Sequence, residues 1–249
     1  MSKEKLQIKR RSMFGEVMVR FLRKPIAVFG AVIMIVVVAL CLLAPVIAPY
    51  DIDAQDITRK FTEPSQEFIC GTDNLGRDIF SRLLYGGRIS LMVGFVSASI
   101  AAILGVILGA IAAFYGKRTD NIIMRILDVF MALPQMLLAI AISAMIGTGI
   151  KGAIIAVTVA TIPRYAQAVR GPILSIRNQE FVEAAFAIDA KDSRIVLRHI
   201  LPNVLSPIIV QVTMGVGNAI TMAASLSFIG LGVQPPYPEW GAMLSGGRQ

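Results

Sequence analysis

Charge is scarce in this chain, and side chains that bind metals or carry redox chemistry are scarcer. Only 16% of its 249 residues are charged, against about a quarter in a soluble domain, which argues against a water-soluble globular enzyme. One histidine and two cysteines exclude a His-rich or Cys-rich metal site, a disulfide framework and a C-x-x-C redox pair. Cys41, in an apolar run, and Cys70, in a polar stretch, are expected to be free thiols. No G-x-x-x-x-G-K-[ST] loop is present. Its nearest approximation, Gly116, Lys117 and Arg118, lacks the spaced upstream glycine and the hydroxyl residue that hold phosphate and magnesium. The chain is therefore not expected to hydrolyse ATP, and neither catalytic residues nor a resident cofactor or metal is assigned to it. The metalloprotease pattern H-E-x-x-H and the hydrolase elbow G-x-S-x-G are also missing. The lone His199, beside Arg198 on a basic segment, reads as a surface or interface residue.

Apolar sequence dominates instead. Hydrophobic residues make up 55% of the chain and the mean hydropathy is +0.70, too apolar for an ordinary nucleic-acid-binding domain despite a net charge of +8. Basic charge is thus expected to face a membrane and not nucleic acid. A bilayer core about 30 Å thick takes roughly 20 apolar residues as helix. Five runs approach that length: Ile26 to Ile47, Ile89 to Tyr115, Ile122 to Ile146, Ala153 to Val169, and Val204 to about Ala224. An all-α polytopic membrane protein follows, because only helices satisfy their own backbone in lipid within one segment.

The first run follows a flank holding eight Lys or Arg and only Glu4 and Glu16. Such a flank stays in the cytoplasm, and the run is too long for a signal-peptide core. The chain then divides into a cytoplasmic basic N-terminus (1–25), a first membrane helix (26–47), an external segment (48–88) and a core (89–249) containing a cytoplasmic loop (170–203). This topology puts 17 of the 24 basic residues inside, counting Arg125 and Arg164 at helix mouths. Small residues recur at helical spacing as Ser97, Ala101, Gly105, Gly109 and Ala113, as Gly152, Ala156 and Ala160, and as Gly215, Ala219 and Ala223. Such ridges predict close helix packing. Arg125 and Asp128 are spaced to pair on one helical face, and Pro134 is expected to kink the third run.

The inner loop Asn178 to Asn203 reads NQEFVEAAFAIDAKDSRIVLRHILPN. Phe181, Ala185 and Ile188 recur at spacings of four and three, predicting a short helix with one apolar face in a segment too charged to span. Asp192 is placed to cap a second short helix, with Arg194 and Arg198 one turn apart. An exposed amphipathic helix there suits a protein groove or lipid headgroups. Gln211, Asn218 and Thr221 are polar residues inside the fifth run and are candidates to line a pathway.

At these residues the sequence resembles the permease subunits of ABC importers, whose hallmark is EAA, three residues, Gly, and a later Leu-Pro. Glu183, Ala184, Ala185, Leu201 and Pro202 stand at the matching spacings. Cys70 to Leu91 (CGTDNLGRDIFSRLLYGGRISL) and Leu226 to Leu244 (LSFIGLGVQPPYPEWGAML) are similar to the C-type permease of dipeptide, oligopeptide and nickel importers. The resemblance implies a type I ABC importer transmembrane fold. It further implies a pathway shared with a second homologous permease, two cytoplasmic ATPases carrying ATP and Mg, and an external substrate-binding protein.

The resemblance makes the EAA segment a coupling helix: Glu183, Ala184 and Ala185 at its centre, Phe181 and Ile188 as apolar anchors, and Arg194 and Arg198 toward the ATPase or anionic lipid. The family's Gly is Asp189 here, where the chain is expected to leave the helix in a left-handed conformation. The external motif, with Gly71, Thr72, Asp73, Gly76 and an Arg77–Asp78 charged pair, is implied to lie near the binding-protein docking surface. A bacterial-type inner membrane is the implied location. The resemblance also implies a sixth helix beyond the W-G-x-M-L region, which is missing before Gln249; a truncation or a neighbouring subunit would account for that. An importer of nickel or another small solute, and a membrane scaffold without transport, are the competing readings.

Overall fold

The structure, a computed structural model, describes residues 18, 19 and 21–248; most of the basic amino-terminal flank lies outside them. The helices that carry the architecture are α1 (Pro25–Leu42), α2 (Ile79–Tyr115), α3 (Lys117–Met131), α4 (Gln135–Ile146), α5 (Ile150–Arg177), α6 (Glu180–Ala187), α7 (Leu205–Phe228) and α8 (Trp240–Gly246). Among the described residues no strand forms; one isolated bridge joins Thr72 and Asp78.

Helices α1, α2 and α5, and α7 with the turns before it, are long and apolar enough to cross a membrane. The pair α3–α4 makes a fifth crossing only as a broken span, bent by 87°. Proline causes the break. Pro134 stands at the start of α4 in extended backbone (ψ 129°), where it has no N–H for the Phe130 carbonyl and cannot continue α3. Helix α2 begins at Ile79, well before the apolar run at Ile89. Its start is fixed by the Asp78 carboxylate, which accepts the Ser81 N–H at 2.8 Å, capping one of the orphan donors of the first turn. Helix α5 runs through Pro163 and Pro172 to Arg177, beyond the expected end at Val169.

Helix α2 is the central post, packed between α5 and α7. All five members of its small-residue ridge are buried, as are Gly152, Ala156 and Ala160 on α5 and Gly215, Ala219 and Ala223 on α7. A Cβ on Gly109 would collide with the Ala166 backbone, and one on Gly215 with the Tyr165 hydroxyl. Small side chains are what allow the helices this approach, since lipid supplies no hydrophobic drive between them. Helix α1 buries only Cys41, which lies against Gly87, and turns its remaining apolar surface outward.

The two ends of the bundle differ. At the basic end, Ala110, Ala113 and Phe114 of α2 and Val169 and Ile173 of α5 form one apolar cluster with Val182 and Ala185 of α6 and with Ile195, Ile200 and Val204. At the opposite, capped end, Trp240 donates its indole N–H to the Leu83 carbonyl (3.0 Å) and the Ser90 hydroxyl donates to the buried Glu239 carboxylate (3.0 Å). There too the Gly149 N–H donates to the Gly232 carbonyl (2.8 Å).

Candidate functional site

The short helix α6 continues from α5 after a break at Asn178 and Gln179. Val182 and Ala185, three residues apart, form its buried face and seat it in the apolar cluster of the basic end. The expected face of Phe181, Ala185 and Ile188 does not hold together: Ala185 points inward, whereas Phe181 is 39% and Ile188 79% exposed. The spacing is helical, but Val182 and not Phe181 shares the inner face with Ala185. Glu180, Glu183, Ala184 and Ala187 are exposed with Phe181 and Ile188. Phe186 stacks on Phe114 of α2, with ring centroids 5.8 Å apart, so α6 is tied to α2 as well as to α5.

Asp189 ends this helix at φ 53°. Its N–H donates to the Phe186 carbonyl (3.0 Å) and the Ala190 N–H to the Ala185 carbonyl (3.2 Å), which satisfies carbonyls left open by the last turn. Asp192 does not cap the next turn. It is the first residue of that turn (Asp192–Ile195), with Lys191 in the capping position and no side-chain cap bond; a carboxylate there still favours the positive end of the turn. Arg194 and Arg198 are exposed, His199 is half-buried, and Leu197 is exposed between the arginines. The basic end therefore presents Phe181, Ile188 and Leu197 bordered by acidic α6 and the two arginines, a surface with apolar anchors and charged edges.

Arg125 and Asp128 form no ion pair among the described residues. Both are exposed, where pairing gains little. Arg170 of α5 instead holds Asp120 of α3 through two hydrogen bonds, Nε to Oδ1 at 2.6 Å and Nη2 to Oδ2 at 2.5 Å, a geometry specific to guanidinium and carboxylate. Sequence spacing within one helix could not reveal this pair, because its partners are on different helices.

At the capped end, residues 48–78 are knitted into a defined cap. The Thr72 hydroxyl donates to the Arg59 carbonyl (2.5 Å) and accepts the Thr62 N–H (2.8 Å); the Gly71 N–H donates to the Phe68 carbonyl (3.0 Å). Gly76, at φ 72°, passes so close to the Asp56 backbone that no side chain fits. The expected Arg77–Asp78 pair is not made: Arg77 binds Asp73 (Nη2 to Oδ2, 2.7 Å), while Asp78 caps α2 through Oδ2. Burial pushes the Asp73 carboxyl up, but the Arg77 side chain and the N–H groups of Arg77 and Leu75 outweigh it and hold the group below the usual carboxylate range. Arg82, nearly buried, donates to the Ile52 carbonyl at 2.8 Å and the Pro236 carbonyl at 3.3 Å. Between this cap and α8 lies a cavity of about 390 Å³, bordered by Phe61, Arg77, Arg82, Tyr237 and Met243. Arg82, which ties the cap to α2, and Glu239, which ties α2 to α8, were missed in the sequence; for Arg82 a charge in the first turn of an apolar helix was the available signal.

Along α7 the exposed side carries Ser206, Thr213, Gly217 and Thr221, opposite the buried Gly215, Ala219 and Ala223. Thr221 lies on this side, Asn218 is exposed at its edge, and Gln211 is half-buried. Polar and small residues thus line the free face of α7, mixed with Ile209, Val210 and Met214.

Residues 105–247 match the family profile described as the binding-protein-dependent transport system inner membrane component, and residues 12–64 match the N-terminal transmembrane domain of oligopeptide transport permease C. The chain is 44% identical over 227 residues to the dipeptide transport system permease protein DppC of Alkalihalophilus pseudofirmus, covering 91% of this chain and 75% of that one. It is 46% identical over 230 residues to the glutathione transport system permease protein GsiD of Escherichia coli O6:K15:H31, covering 92% and 76%. Its fold resembles a chain of the inward-facing MetNI methionine ABC transporter, with a TM-score of 0.56 at 22% identity, over 67% of this chain and 86% of that one.

Proposed function

We propose, from the premise that this chain belongs to the family of binding-protein-dependent transport system inner membrane components, that it is the permease subunit of an ATP-driven importer for short peptides. Its relatives in dipeptide and glutathione transport support that substrate class; both substrates are small, peptide-bonded and carboxylate-bearing. A second, homologous permease would face the polar side of α7 and complete the pathway with Gln211, Asn218 and Thr221. Two cytoplasmic ATPases, carrying ATP and Mg, would dock at the basic end, and an external binding protein would deliver substrate at the capped end, over Gly71, Thr72, Asp73, Gly76, Arg77 and Asp78. In this orientation the N-terminus is cytoplasmic and anionic lipids meet the basic end.

The observation that carries the reading is the seating of α6. Val182 and Ala185 lock it to the ends of α2 and α5, while Phe181, Glu183, Ala184 and Ile188 stay free for a partner. Such a helix is a lever: an ATPase groove that grips its outer face and moves must carry α5 and α2 with it. Arg194 and Arg198 would add charged contacts at the rim. The test is the assembled transporter in proteoliposomes, scored for ATP hydrolysis stimulated by binding protein and dipeptide. Glu183→Ala is expected to reduce that stimulation at least tenfold with the complex still assembled. An assembled wild-type complex that no peptide stimulates would overturn the peptide assignment.

A further inference from the structure

Helix α5 carries a charged residue deep within its length. Arg164 stands near the middle of α5 (Ile150–Arg177), six residues, roughly 9 Å at 1.5 Å per residue, from Arg170 of the basic end. Its side chain is exposed, and among the described residues it makes no hydrogen bond or ion pair. An arginine without a partner inside a helix long and apolar enough to span a membrane is a functional-site candidate by default.

Three further observations agree. Arg164 opens a polar stripe on α5: Gln167, Gly171 and Ser175 follow at spacings of three and four, all exposed and none apolar, whereas a lipid-facing stripe would be apolar. Arg164 borders a cavity of about 340 Å³ with Phe130, Pro134, Gln135 and Pro163. That cavity sits at the α3–α4 break, where the backbone leaves the helix and Leu133 is 51% exposed. Non-helical backbone at membrane depth is tolerated only inside protein or beside water. Pro163 also leaves the Val159 carbonyl without its helical donor.

We infer that Arg164 is a carboxylate-binding station within the translocation pathway, at which the C-terminal carboxylate of a passing peptide meets the guanidinium while Gln135 and Gln167 supply neutral hydrogen bonds. Arginine suits this role because its planar fork matches a carboxylate. The inference rests on the peptide reading above and adds the chemical group that is recognised.

The test uses the transporter reconstituted with its ATPases and binding protein, and two probes, alanyl-alanine and alanyl-alaninamide, each at a concentration that saturates the binding protein. Arg164→Gln is expected to lower dipeptide uptake at least tenfold and to leave amide uptake within twofold of wild type, with Arg164→Lys, which keeps the charge but not the fork, falling between Arg164→Gln and wild type. In a background lacking Cys41 and Cys70, Arg164→Cys is expected to react with a water-soluble thiosulfonate and to be protected by the dipeptide. Equal losses for both probes, an unchanged dipeptide rate, or a cysteine that never reacts would overturn the inference while the peptide reading stands. A wild-type complex that takes up neither probe would overturn both.

Discussion

Asp189 occupies a backbone conformation that glycine adopts freely and other residues adopt at a cost of order 1 kcal/mol. Asp is among the better-tolerated alternatives, and the turn keeps its two carbonyl-satisfying bonds. Asp189→Gly is therefore expected to stabilise the α6 terminus by about 1 kcal/mol, read as about fivefold slower hydrogen exchange over residues 182–188, with a rise in binding-protein-stimulated ATP hydrolysis. Asp189→Val should do the opposite, since a β-branched side chain is worse still at positive φ. Unchanged exchange and activity in the glycine variant would show that the turn is not limiting. The left-handed exit was anticipated only through the resemblance, which puts the family's Gly at the position of Asp189. The inward face was not, because Phe181 and Val182 both satisfy an apolar pattern with Ala185, at spacings of four and three.

Among the elements, α3 is joined to α5 by Asp120 and Arg170, whose side chains are 14% and 34% exposed, partly sheltered from solvent screening. The pair fastens the amphipathic arm before the proline break to the helix that carries the coupling segment. Asp120→Arg and Arg170→Asp should each destabilise the complex and lower uptake. The double exchange should recover at least half of the loss, a coupling of about 1–3 kcal/mol, measured as thermal unfolding in detergent. Additive losses would mean that the two residues act separately. The small-residue ridges were readable as packing surfaces because a spacing of four places them on one stripe. The 87° bend between α3 and α4 was not readable, since a straight and a broken span share length and hydropathy. Pro134 fixed where the break falls but not its angle.

For the molecule as a whole, the alternation of spans is set by which helix ends cluster together. The ends of α2 and α5 and the start of α7 share one cluster, while Gly149 and Gly232 bond at the opposite end, so the two ends cannot be mixed within one bilayer. Charge then chooses which end is cytoplasmic. Arg170, Arg177, Arg194, Arg198, Lys117 and Arg118 all gather at the basic end, and positive residues resist translocation. In a background without Cys41 and Cys70, Gln179→Cys should therefore react with a membrane-impermeant maleimide only after lysis, and Thr148→Cys should react in intact cells. Both positions are exposed at opposite ends of α5, so neither silence can be blamed on burial within this chain. A reversed pattern would place α6 outside the cell, out of reach of any cytoplasmic ATPase, and the lever formed by Val182 and Ala185 would then have nothing to move it.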